Sequence, residues 1–218
     1  MKAPHVLITG GEGDLGIALA ARFRAASMLV SAPGKLELNV ADRFCVKSYF
    51  TGIGGVDLLV CNAGITNDRP LARMSESDWD GVVDVNLKGA FLCAREAAKM
   101  MVKHRVGHII FISSFSALHP PAGQANYAAA KSALLGMMKS LAQELGPRNI
   151  RVNAILPGFL ETKMTSDLSG AVKEQSLNRH TLGRFNTSAT VADFVVFLHE
   201  GMPHTSGQVF NLDSRILS

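Results

Sequence analysis

Three side chains carry chemistry by type and spacing. Tyr127-Ala-Ala-Ala-Lys131 puts a phenol and an amine four residues apart, and Ser114 stands thirteen residues upstream of the tyrosine. On a helix, residues four apart share one face. An ammonium beside a phenol stabilises the phenolate and draws its pKa down from about 10. Such a phenol can exchange a proton with an alcohol or a carbonyl. A serine hydroxyl can hydrogen-bond the same oxygen. Ser113 is the rival serine, but strand alternation puts the two on opposite faces. This equipment supports a redox step and needs an electron carrier from elsewhere. Read alone, the same pair is more often an aromatic packing residue and a snorkelling amine.

The first residues suggest where a carrier binds. His5-Val-Leu-Ile8 is a short apolar run suited to a buried strand. Thr9-Gly-Gly-Glu-Gly-Asp-Leu-Gly16 follows, and Ile17 to Phe23 then reads as a helix. Strand, glycine turn and helix are the context that a dinucleotide fingerprint requires. Glycines let the backbone approach a pyrophosphate, and a helix N-terminus offers free N–H groups. Gly13 and Asp14 give the turn the form Thr-Gly-x-x-Gly-x-x-Gly. Asp14 is placed to cap the helix, although its charge does not favour a pyrophosphate.

Further along are Cys61-Asn-Ala-Gly64 after Val56 to Val60, Val85-Asn-Leu-Lys-Gly89, Ile109 to Ser114, and Pro157-Gly-Phe-Leu-Glu-Thr162. In this order and spacing the set resembles the short-chain dehydrogenase/reductase family over nearly the whole chain. Within that family it is most similar to the β-ketoacyl-acyl-carrier-protein reductases. The resemblance implies that Ser114, Tyr127, Lys131 and Asn86 are catalytic. Tyr127 would donate the proton to the carbonyl oxygen, Lys131 would lower the phenol's pKa and hold the nicotinamide ribose, and Asn86 would hold a water that connects Lys131 to solvent. It implies cofactor contacts from Thr9, Gly10, Gly13, Asp14, Leu15 and Gly16 in the turn. Asn39 and Val40 would line the adenine pocket. Asn62, Ala63 and Gly64 follow, with Asn62 read as a tie between strand ends. Pro157, Gly158, Leu160 and Thr162 would cover the nicotinamide. Arg105 and Arg148 fall where relatives dock acyl carrier protein, an acidic partner that arginines suit; both also read as ordinary helix-end residues.

Two stretches depart from the family pattern. Only Ser-Ala-Pro-Gly-Lys separates Val30 from Leu36, so the helix expected there is lost or reduced. No acidic residue lies in that stretch to select NAD. Ser31 and Lys35 are placed to meet a 2′-phosphate, so NADPH is expected, with NADH the other candidate. Asp213-Ser-Arg215 stands where relatives have Asp-Gly-Gly, in a segment that packs at their subunit interfaces.

The chain has 218 residues, 47% of them hydrophobic, and a net charge of +4. That suits a single domain with an ample core. No long basic face implies nucleic acid, and no apolar run approaches the ~20 residues of a membrane span. Three cysteines without paired spacing suit a reducing cytoplasm. The N-terminus reads as a strand rather than a signal peptide. His104 and His108 have metal spacing, but Gly107 ends the helix between them, so no metal is expected.

Strands are expected at 5–9, 28–31, 36–39, 56–60, 108–113, 150–155 and 208–211. Helices are expected at 14–25, 41–50, 77–103, 125–146 and 189–199. Alternation of this kind predicts an α/β fold: a single-domain doubly wound parallel sheet with helices on both faces, residues 1–218. Residues 160–188 lack a firm period and are expected to form a substrate lid. Ala90, Phe91, Ala94, Ala97 and Met101, with Ala133, Leu134, Met137, Met138 and Leu141, make two long helices apolar on several faces. A homodimer or homotetramer is therefore expected. Three functions remain open: reduction of a 3-oxoacyl thioester on acyl carrier protein, oxidation or reduction of a free secondary alcohol or ketone, and non-catalytic nucleotide sensing or scaffolding.

Overall fold

The structure, a computed structural model, describes residues 3–163, 165–166 and 169–216. Met164, Asp167 and Leu168 of the expected lid lie outside the described residues. Among the described residues, six parallel strands form one sheet in the order β2-β1-β3-β4-β5-β6. They are β1 (His5–Ile8), β2 (Leu29–Ser31), β3 (Leu58–Cys61), β4 (Gly107–Ile112), β5 (Ile150–Leu156) and β6 (Val209–Asn211). The helices are α1 (Asp14–Ala25), α2 (Arg43–Gly52), α3 (Glu76–Val83), α4 (Ala90–His104), α5 (Ala125–Leu145), α6 (Gly170–Leu177) and α7 (Ser188–Gly201).

Strand alternation sorts the core into two layers. Leu7, Leu59, Cys61, Ile109, Phe111 and Val152 pack with residues of α2, α4 and α5. Val6, Ile8, Leu58, Val60, Ile110 and Ile155 pack with α1 and α7. Because both faces are covered, the strands are apolar throughout rather than alternating. β1 lies between β2 and β3, whose crossovers run on opposite faces. The crevice at the carboxyl ends of β1 and β3 is therefore the switch point where ligands bind in such sheets.

The strand expected at 36–39 is absent. Lys35–Glu37 form a turn, and Leu38 N–H bonds back to Gly34 O at 2.9 Å. Leu38 and Val40 are buried in the core without joining the sheet. With the preceding helix also missing, nothing sets a further strand beside β2, which becomes the sheet edge.

The helix expected over 77–103 is interrupted. α3 and α4 are joined by a π-helical turn, Asp84–Gly89. Asn86 supplies the reason. Its side-chain Nδ2 donates to Val82 O at 2.9 Å, the carbonyl its own backbone N–H would take in an α-helix. A side chain competing in this way displaces the ladder to a longer repeat.

α6 forms inside the stretch expected to be irregular, with Ser169 accepting from Val172 N–H at its N-terminus. Among the described residues no helix is long and apolar enough to cross a membrane. The histidine pair takes a different role from metal spacing. His108 is buried, 3.1 Å from Asn153 and 3.3 Å from His199, while His104 is exposed at the end of α4. Burial holds both His108 and His199 below the usual imidazole range, His199 at about 4.

Candidate active site

The catalytic candidates meet at the carboxyl edge of β4. Ser113 and Ser114 follow that strand and face opposite ways. Ser113 is buried, and its hydroxyl donates to Lys131 O at 2.8 Å. Lys131 Nζ in turn donates to Ile112 O at 2.8 Å. These two bonds pin the first turns of α5 onto the end of β4. Ser114 Oγ accepts from Ser116 N–H at 3.1 Å and keeps its proton for another partner. That partner is the Tyr127 phenol, which the Ser114 hydroxyl draws toward lower pKa. The Lys131 ammonium lies 5.6 Å from the Tyr127 ring centre.

The electrostatics differ from the expectation for the phenol. Among the chain's own groups, burial outweighs Ser114 and raises the Tyr127 pKa, and the Asp68 carboxylate adds to the rise. Lys131 is also fully enclosed, and burial lowers its pKa to about 8. At that pKa Lys131 still carries its charge at neutral pH, but enclosure of the phenol, rather than the ammonium, sets the direction of the Tyr127 shift.

Asn86 sits on the π turn, with its carboxamide fully engaged. Nδ2 donates to Ile65 O at 2.8 Å as well as to Val82 O, and Oδ1 accepts from Ile65 N–H at 3.2 Å. The side chain therefore secures the segment that follows β3. A side chain on Gly64 would come to 2.5 Å from Asn86 Oδ1 and 3.4 Å from Lys131 Nζ. The Asn86 contact is too close for any side chain at position 64, whereas the Lys131 contact would be an ordinary one.

Thr9 and Asn62 bridge the two strands at the switch point. Thr9 Oγ1 accepts from the N–H groups of Asn62 and Ala63, each at 3.0 Å. Asn62 Nδ2 donates back to Thr9 O and Gly10 O, each at 3.1 Å. Gly10 has φ of +65°, and a side chain on Gly16 would overlap Gly10 O. Turn and helix thus close into a bare backbone cradle at the N-terminus of α1, with Leu15 buried beneath it. Backbone N–H groups there suit a pyrophosphate, so the residues present fit a dinucleotide. Gly13 occupies the N-cap position, and no side chain caps α1. Asp14 is therefore not the cap: its Oδ2 accepts from Lys163 N–H at 2.7 Å, joining the glycine turn to the loop after β5.

In that loop, Thr162 N–H donates to Thr165 Oγ1 at 2.9 Å, and Thr165 Oγ1 donates to Leu160 O at 2.8 Å. Pro157 O accepts from Asn186 Nδ2, which also reaches Leu212 O. Gly158 packs against Asp213. Asp213 pairs with Arg215, whose guanidinium lies 3.7 Å over the Phe115 ring, next to Ser114. The C-terminal segment therefore folds back over the site. Asn39 and Val40 reach the same edge: Asn39 Oδ1 accepts from Ala41 N–H at 3.2 Å, and buried Val40 packs on Gly89 of the π turn.

Ser31 is not turned toward a ligand. Its Oγ lies 2.8 Å from His5 Nε2 and also bonds Tyr49. Lys35 is exposed. Arg105 and Arg148 are neighbours, since Arg105 donates to Pro147 O at 2.8 Å. They precede β4 and β5 and so lie at the opposite edge of the sheet from Ser114 and Tyr127.

Sequence reading missed several residues around the tyrosine. Asn126 is fully buried, donates to Asn67 O and Asp78 O, and accepts from Tyr127 N–H at 2.8 Å. Gln124 links Ser116 to Asp68. The one available signal was position, directly before Tyr127.

A family model described as Enoyl-(Acyl carrier protein) reductase matches residues 16–214. The chain belongs to the short-chain dehydrogenase/reductase family. It is an NAD(P)-dependent oxidoreductase. Among curated proteins it is 43% identical to the 3-oxoacyl-acyl-carrier-protein reductase of Thermotoga maritima, over 85% of this chain and 78% of that one. It is 40% identical to the enzyme of that name from Aquifex aeolicus, over 95% and 85%. The Rickettsia typhi enzyme is 36% identical over 97% and 95%.

Proposed function

We propose that this short-chain reductase converts a 3-oxoacyl thioester on acyl carrier protein to the 3-hydroxyacyl form, in fatty-acid or related acyl-chain synthesis. The observation that carries the reading is the convergence of Ser114, Tyr127 and Lys131 beside the Thr9–Asn62 cradle. The similarity to three enzymes bearing that name supports it. When bound, a reduced nicotinamide supplies the hydride. Ser114 donates to the carbonyl oxygen, where negative charge develops. Tyr127 delivers its proton to the same atom, and its raised pKa keeps that proton in place until the oxygen needs it. Lys131 would hold the nicotinamide ribose, and Asn86, at the turn beside it, would hold a water through which the proton is replenished from solvent. Thr162 would contact the nicotinamide amide.

Residues 1–218 act as one dinucleotide-binding and catalytic domain, with 160–188 as a lid over the substrate. A cytoplasmic setting fits the free thiols of Cys45, Cys61 and Cys93. The resemblance favours NADPH, whereas Glu12 and Glu37, which meet Gly34 after β2, favour NADH.

Carrier-protein docking at Arg105 and Arg148 needs a second copy. Both lie one strand length from their own Ser114, about 20 Å by the rise of a six-residue strand. If α4 and α5 pack on their own copies about a two-fold axis, helix direction reverses, and these arginines come beside the other copy's site. Most of the apolar residues counted toward such an interface (Ala90, Ala94, Ala97, Met101, Leu134 and Met138) are instead buried in this chain's own core. Phe91 and Ala133 remain exposed, with Ala129 and Gly136. Ala129, Ala133 and Gly136 give α5 a flat outer face suited to close helix packing, with Phe91 exposed on α4.

The test is oxidation of NADH and of NADPH, followed by absorbance, with acetoacetyl-acyl carrier protein as substrate. Turnover is expected with the thioester, and Tyr127→Phe is expected to lower kcat by about 10²–10⁴-fold while dinucleotide binding is retained. Unchanged turnover in Tyr127→Phe would refute the mechanism. Turnover of free ketones alone would favour the second reading, a free-ketone oxidoreductase. Binding without turnover of either would leave a sensor or scaffold.

A further inference from the structure

We infer that Glu12 selects the unphosphorylated adenosine ribose, making this chain an NADH-preferring enzyme; the inference rests on the reading of the site as a nicotinamide-dinucleotide one. In a doubly wound sheet the adenosine ribose is read at the carboxyl end of β2, beside the first glycine turn. Here that end is Ala32-Pro-Gly-Lys35, without an acidic side chain of its own. The glycine turn closes directly onto it. Gly11 N–H donates to Pro33 O at 3.0 Å, and a side chain on Gly11 would overlap Ala32 O. The next residue is Glu12, and its carboxylate lies against Gly34, where any side chain on Gly34 would overlap it. The acid that other folds deliver from β2 is delivered here from the turn.

A second carboxylate reaches the same place. Glu37 Oε2 accepts from Gly34 N–H at 3.3 Å. The two groups suited to a 2′-phosphate do not offset them. Ser31 is bonded to His5 and Tyr49, and Lys35 is a single exposed cation beside two carboxylates. A ribose 2′-hydroxyl can donate to a carboxylate in a charge-assisted bond. A phosphate monoester carries about −1.5 to −2 charges, which a carboxylate repels. The same carboxylate therefore attracts one dinucleotide and rejects the other.

Calorimetric titration of the full chain with NADH and with NADPH tests this without turnover. Wild type is expected to bind NADH at least about tenfold more tightly. Glu12→Gln keeps the size and removes the charge; it is expected to raise NADPH affinity about tenfold and to change NADH affinity less than about threefold. Added salt should narrow the NADH/NADPH gap in wild type more than in Glu12→Gln. Circular dichroism checks the fold, and Glu12→Ser, with no carboxylate, repeats the comparison. Tighter NADPH binding by wild type, or an unchanged ratio in both variants, would overturn the selector alone. Binding of neither dinucleotide by the folded protein would bring down the site reading with it.

Discussion

Among the catalytic candidates, Lys131 has its chemistry changed by its surroundings. Burial lowers its pKa to about 8, so it is charged at neutral pH and loses its proton just above. The phenol moves the other way and stays protonated through that range. If the ammonium supports proton delivery, reduction should hold steady below about pH 8 and fall above it. Measuring kcat/KM from about pH 6 to about pH 10 tests this. Lys131→Arg, whose charge persists, should move the fall to higher pH, and a wild-type profile flat to about pH 9.5 would count against the assignment. The pairing of Tyr127 with Lys131 was legible in the sequence, because a four-residue spacing on a helix needs only local geometry. The rise in the phenol's pKa was not. It comes from enclosure and from Asp68, which lies 59 residues away along the chain.

Elements, rather than single residues, hold these groups in place. The π turn places Asn86 against the segment after β3, and the cause is one side chain taking one carbonyl. No hydrophobic period marks it, so the sequence reads as one long helix. Asp14 is a similar case. Its type and position suggested a cap, but its carboxylate ties the glycine turn to Lys163 N–H in the loop expected to cover the nicotinamide. A hydrogen bond to a charged group is worth about 1.5–3 kcal/mol. Asp14→Ala should therefore free the loop at Lys163 about tenfold more often, speed tryptic cleavage at Lys163 and lower kcat/KM. Cleavage at the wild-type rate would mean that the loop is held elsewhere, as by Thr165.

At the scale of the molecule, the question is how a large carrier reaches the site. Arg105 and Arg148 form one basic corner at the edge opposite Ser114. Arg148→Glu is expected to raise KM for the acyl-carrier-protein substrate about tenfold or more and to leave a free ketone unaffected. Light scattering should show a dimer or tetramer, and a monomer with full carrier activity would refute delivery across a two-fold. Local sequence was enough for the α/β class, the strand–turn–helix start, the Tyr127–Lys131 spacing and the loss of a helix between Val30 and Leu36, but not for the absence of a strand at 36–39. Each of the former is written in short-range periodicity or spacing, which the backbone obeys wherever it lies. That β2 is the sheet edge, that Ser31 is spent on His5 and Tyr49, and that Glu12 meets Gly34 came out of the folded chain alone. Those outcomes depend on which side chains the crossovers bring together. A carboxylate three residues past Thr9 is an ordinary turn residue until the turn closes on the end of β2.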